Sequence, residues 1–237
     1  MFELAPRTDT RELAERFGRE RFVHIPEIFR PDQAEELHRQ LRARGDWKQV
    51  ITRGDSYIEL DRPTRAQLAP DQAKALDDAV YAQARTGFQY RYESIRVPDA
   101  AAERAKSDDV LARLAESMSS DPVRSLLRTI TGAEDIAFAD AQATAFSPGD
   151  FLTGHDDQIE GKNRRAAYVL NLTPVWRVEW GGLLLFHEGG TVRGLVPSFN
   201  ALNIFAVPVM HSVSEVTRAS PYRRYSVTGW LRAGPQP

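Results

Sequence analysis

Apolar residues in the first half of the chain recur mostly at helical spacing. In the second half they fall into short blocks between turns. Ala34, Leu37 and Leu41 share one helical face, with Pro31 at the start and Gly45 at the stop. Further helices are predicted over residues 11–17, 71–85, 108–118 and 122–131. RFVHIPEIF (21–29), WKQVIT and SYIEL on either side of residues 53–55, and FQYRYESIRV (88–97) read as strands. From Ile136 onward short strands alternate with SPGD, EGKN, EWGG, HEGG, PSFN and RASPY turns. Regular spacing of that kind predicts a sandwich or barrel. Without a repeat or a low-complexity linker, the chain reads as one domain over residues 1–237. Residues 1–134 form a helical and strand N-terminal part, and residues 135–232 form a β core.

Composition narrows the function classes. The 237 residues are 42% hydrophobic, enough for a sizeable core, and carry a net charge of −2. Basic residues are scattered, so no nucleic-acid partner is expected. No apolar stretch approaches the roughly 18 residues of a membrane span, and the charged N-terminus holds no signal-peptide core; a cytoplasmic location is expected. With no cysteine, thiolate metal sites and cysteine nucleophiles are excluded, leaving histidine and carboxylate as metal ligands.

Of five histidines, His24, His38 and His187 are read as surface or core residues. His155 differs because Asp157 follows two positions on. In an extended segment these two side chains point the same way while Asp156 points away, so His155 and Asp157 can chelate one ion. His211, after the apolar run ALNIFAVPVM, is placed to add a third ligand from a neighbouring strand. Two histidines and a carboxylate suit a non-haem Fe(II) oxygenase, but equally a zinc hydrolase. The last strand, RRYSVTGWLR, puts Arg224, Ser226, Thr228 and Trp230 on one face and Tyr225 and Val227 on the other. An inward guanidinium with no protein carboxylate in view favours a dicarboxylate ligand.

His155-Asp156-Asp157, Arg164-Arg165, EWGG, VPSFNALNIFAV, HSVSEV and Arg224-Tyr225-Ser226-Val227-Thr228-Gly229-Trp230 occur here in an order and spacing that resemble the 2-oxoglutarate/Fe(II) dioxygenases. The prolyl-hydroxylase branch is the nearer likeness, and the ribosomal-protein prolyl hydroxylases and their bacterial relatives nearer still. The likeness covers about residues 138–232. It implies an α+β protein with a double-stranded β-helix (jelly-roll) core and N-terminal helices packed on one sheet. It implies Fe(II) held by His155, Asp157 and His211. It also implies 2-oxoglutarate held by Arg224, with Thr228, Ser226 and Asn171 nearby, and O2 as co-reactant with ascorbate stimulatory. The implied reaction hydroxylates a C–H bond and releases succinate and CO2. Its substrate is a prolyl residue in a protein such as a ribosomal protein or elongation factor, or alternatively a free amino acid or small metabolite. A jelly-roll metal hydrolase or cupin-like binding module is the remaining alternative. Asn171 and Phe146 stand where many relatives carry tyrosines. Trp230, Tyr90 and Tyr92, together with Arg91 and the loop 217–223, are expected near the mouth as substrate contacts.

Overall fold

The computed structural model describes residues 1–54 and 56–237; Asp55, in the predicted turn at 53–55, lies outside the described residues. In chain order the elements are α1 (Thr10–Glu20), β1 (Phe22–Ile25), α2 (Pro31–Ala43), β2 (Lys48–Arg53), β3 (Ser56–Asp61), α3 (Arg62–Ala66), α4 (Pro70–Ala84) and β4 (Tyr90–Arg96). Next come α5 (Ala101–Arg104), α6 (Val110–Met118), α7 (Asp121–Thr131), β5 (Ile136–Ala139), β6 (Gln142–Phe146), β7 (Phe151–His155) and β8 (Arg164–Asn171). The chain closes with β9 (Leu184–Glu188), β10 (Thr191–Leu195), β11 (Ala201–Ala206), β12 (His211–Val213) and β13 (Arg224–Ala233).

Local chemistry sets the helix ends. Proline opens α2 and α4, where its missing N–H costs nothing. The Asp109 carboxylate accepts the Leu111 N–H at the start of α6. Gly132, at φ 70°, stops α7 and returns its N–H to the Arg128 carbonyl. The strand expected over 21–29 shrinks to β1, because Arg21 takes a left-handed φ of 64° as the cap of α1 and Pro26 offers no ladder donor. The two shortest helices, α3 and α5, span too few residues to carry a periodic signal.

The strands run in the order β1-β11-β8-β13-β6-β4-β7-β12-β9-β10, all antiparallel, and roll into a nearly closed double-stranded β-helix. The N-terminal part is more than a helical cover. β4 pairs with β6 through residues 93–96 and with β7 at Tyr90 and Arg91, joining the two sheets. The outer face of β8, β11 and β13 meets the helices in one core: Phe17, Leu37, Leu41, Leu114 and Leu127 pack with Leu170, Ile204, Tyr225 and Val227. The inner face carries Ala167, Val169, Leu184, Phe186 and Phe205. β8 is therefore buried on both faces from residue 166 to 171. Gly229 is required by close packing: a Cβ there would sit 2.0 Å from the Asp140 carbonyl oxygen.

Candidate active site

The barrel encloses a cavity of about 580 Å³ that takes in His155, Asp157, His211 and Arg224. His155 ends β7, His211 opens β12, and the two are direct partners across that ladder, ring centroids 4.1 Å apart. Asp157 joins them by a different route from the one expected. The strand stops at His155, and Asp157 has φ 64°, so a left-handed turn rather than extended-chain alternation swings its carboxylate inward. Its two oxygens lie 3.4 Å from His155 Nε2 and 3.4 Å from His211 Nε2. One donor atom from each residue falls within 4.8 Å of the others.

The opposite edge of each ring fixes its tautomer. His155 Nδ1 lies 3.0 Å from the Thr153 carbonyl and His211 Nδ1 lies 2.8 Å from the Val209 carbonyl. A carbonyl can only accept, so Nδ1 carries the proton and Nε2 presents a lone pair. Two lone pairs and a carboxylate then converge on one space, which a bound cation resolves. Burial, aided by the neighbouring His155, drives the His211 pKa down to about 4, so His211 is a neutral ligand at physiological pH. The residues fit Fe(II).

Arg224 is 1% exposed and faces no carboxylate among the described residues. Its Nη atoms reach Ser226 Oγ and Asn171 Oδ1 only at 3.4 Å, Nε is buried without a partner, and the guanidinium lies over the Phe146 ring at 5.3 Å. Burial lowers its pKa to about 10. A buried cation this poorly answered fits the distal carboxylate of a small dicarboxylate. Thr228 lines the same cavity. Ser226 and Asn171 stand against the guanidinium instead, outside the lining; Ser226 is tied to Thr144 at 2.8 Å and Asn171 donates to the Ala201 carbonyl. Phe146, in the expected tyrosine position, stacks on Tyr92 at 5.0 Å.

Tyr90, Tyr92 and Trp230 line the cavity, as does Asp156, which was expected to point away. Arg91 does not: alternation along β4 turns it to the other face, where it binds Asp150, Asp77 and the Gly149 carbonyl. The loop 217–223 lies outside this cavity; its last residues border a separate one. His24 bonds Asn203, His187 bonds Ser212, and His38 packs on Tyr225, all away from the triad.

Two lining residues carried no readable role in the sequence. Arg164 donates to the Asp157 carbonyl at 2.7 Å, stacks over Trp230 at 3.5 Å and buries an unpartnered Nε. The sequence singles out Arg164-Arg165 as part of a motif without giving Arg164 a role, and only the fold brings Trp230 over it. Asp140 accepts the Trp230 N–H at 2.7 Å, and burial lifts its carboxyl to a pKa of about 6.

A jelly roll with a His-Asp-His cluster beside a buried arginine is the architecture of a mononuclear iron oxygenase that uses an oxo-dicarboxylate. Residues 141–232 match the 2OG-Fe(II) oxygenase superfamily. This stretch is similar to that superfamily, whose members use Fe(II) and 2-oxoglutarate. Prolyl 3-hydroxylase OGFOD1 of Xenopus laevis is 38% identical over 117 residues, covering 46% of this chain and 22% of its own length. The chain thus spans about a fifth of that curated relative. A Pseudomonas putida prolyl-4-hydroxylase shares the fold with a TM-score of 0.63 at 16% identity, covering 95% of this chain and 100% of its own. A Trichoplax adhaerens prolyl hydroxylase, solved with a hypoxia inducible factor peptide fragment, does so at 0.64 and 13% identity, covering 94% and 89%. No helix among the described residues is long and apolar enough to cross a membrane.

Proposed function

We propose that this protein is a 2-oxoglutarate- and Fe(II)-dependent dioxygenase that hydroxylates a prolyl residue of a protein, a component of the cytoplasmic translation machinery such as a ribosomal protein or elongation factor. The observation that carries the reading is a single cavity in which three convergent ligand atoms share space with a buried arginine that has no carboxylate of its own. His155, Asp157 and His211 hold the iron, and Arg224, helped by Thr228, holds the distal carboxylate of 2-oxoglutarate. Iron with 2-oxoglutarate and O2 supplies C–H hydroxylation, yielding succinate and CO2. The protein's own work is positioning. Ser226 and Asn171 orient the Arg224 guanidinium, the two carbonyls behind the imidazoles fix the ligand tautomers, and the apolar inner face excludes water.

The cavity wall supports a prolyl substrate. Phe88, Tyr90 and Tyr92 form a chain of ring contacts beginning at His155, and Trp230 lines the cavity with them. A pyrrolidine ring packs well against such a wall. Buried, unpartnered Arg164 Nε is a donor for a substrate carbonyl. Phe88 and Ile159, 45% and 52% exposed at the rim, suit a macromolecular substrate. A free amino acid or small metabolite is the alternative, favoured by the charges of both signs in the lining, such as Arg96 and Asp99. The test is succinate release by the iron-loaded protein with proline-containing peptides of translation proteins against free amino acids. Stimulation by a peptide supports the proposal; stimulation by a free amino acid alone moves the assignment to the alternative.

A further inference from the structure

A second cavity, of about 670 Å³, lies behind the sheet between α2 and the loops that follow β6 and β8 and precede β13. His38, Arg42, Ser147, Tyr222, Arg223 and Tyr225 are among its lining residues, and the lining contains no carboxylate. Glu93, the acid that Arg223 approaches, is already spent. It is fully buried and shared by Arg62 at 2.8 Å, Arg65 at 2.6 Å and Arg223 at 3.7 Å. Arg223 bonds Ser147 Oγ through Nε, and its side chain stays 39% exposed. Arg42 adds a further positive charge from α2, strong enough to help hold the His38 imidazole neutral, after burial, which does most of that work. His38 Nδ1 is buried with no hydrogen-bond partner. Two guanidinium groups, a phenol and an imidazole thus border one space whose lining holds no carboxylate. Prolines 148, 174 and 221 and the half-exposed Tyr222 ring form an apolar lip to the same space.

We propose that this cavity binds a small phosphate-bearing molecule with a flat apolar body. The phosphate would be met by Arg42, Arg223 and the Tyr225 hydroxyl, and the body would rest on the proline lip and Tyr222. Phosphate fits because the lining offers two guanidinium groups and a phenol hydroxyl and holds no carboxylate to compete for them. The volume exceeds that of the anion alone, which calls for the apolar portion.

Calorimetric titration of the intact protein with phenyl phosphate tests this, with phenol as the uncharged control. Saturable binding of phenyl phosphate, at least roughly tenfold tighter than phenol, is expected, because the charge-assisted bonds need the phosphate. Arg42→Glu, at an exposed helix position, should weaken it by roughly tenfold or more. Tyr225→Phe should weaken it less, and His155→Ala should leave it unchanged. The assignment is overturned by absence of saturable binding, by equal affinity for phenol, or by binding that survives Arg42→Glu. Loss of binding in His155→Ala would also overturn it, by moving the ligand to the other cavity.

Discussion

Replacing Arg164 by alanine should weaken metal binding without removing any metal ligand. Asp157 holds a left-handed φ of 64°, a conformation that costs a non-glycine residue about 1–2 kcal/mol. Arg164 supports it through a 2.7 Å hydrogen bond to the Asp157 carbonyl, a charged contact of about 1.5–3 kcal/mol. Its own position is fixed by the 3.5 Å stack on Trp230, worth about 1–2 kcal/mol where partly desolvated. Without the guanidinium, the turn is free to relax and carry the carboxylate away from His155 and His211. Loss of a support of this kind lowers metal affinity about 10–100-fold. Arg164→Lys should recover only part of it, since an ammonium can donate to the carbonyl but cannot stack as a plane. Mn(II) titration of the apo protein, followed by calorimetry without 2-oxoglutarate, reads the effect apart from any role in substrate binding. A urea melt alongside confirms that each variant is folded. Unchanged Mn(II) affinity in folded Arg164→Ala would refute the argument that this arginine holds the ligand turn.

Other expectations follow from the same geometry. His155→Ala or Asp157→Ala should abolish turnover by removing a ligand; retained 2-oxoglutarate consumption in either would contradict the triad. Arg224→Ala should raise the 2-oxoglutarate KM sharply while Arg223→Ala should not, because Arg223 lies outside the cavity that holds the triad, against Glu93 and Ser147; the reverse pattern would mean that Arg223, not Arg224, meets the dicarboxylate. Gly229→Ala should cost about 3 kcal/mol or more, since its Cβ would meet backbone that cannot yield, measurable as a lowered urea midpoint. Asp140, raised from 3.8 to about 6 by burial, binds its proton more tightly in the folded state. Its contribution to stability is therefore full below pH 3.8 and lost as pH rises through about 6. In Asp140→Asn the slope of stability against pH in that window should flatten.

Most of the core was legible from the sequence. Turn residues at regular spacing gave short strands, and alternation in β13 separated Arg224, Thr228 and Trp230 from Tyr225 and Val227, as the structure has them. The convergence of His155 with Asp157 was legible too, though by an incorrect argument: i, i+2 alternation stands in for a left-handed turn that no residue pattern at Asp157 announces. Other features depended on long-range pairing. Nothing local in FQYRYESIRV says that β4 joins two sheets, and so nothing separates Tyr90 and Tyr92 in the cavity from Arg91 on the ion pair behind it. Arg164 stacks on Trp230, which lies 66 positions away in the chain.

The most direct test of the account is mass spectrometry of ribosomal proteins and elongation factors from host cells with and without the gene. The account predicts one proline carrying the mass of a single added oxygen atom, lost on deletion and restored by wild-type protein but not by Asp157→Ala. The same proteins unmodified in both strains would contradict the prolyl-hydroxylase reading.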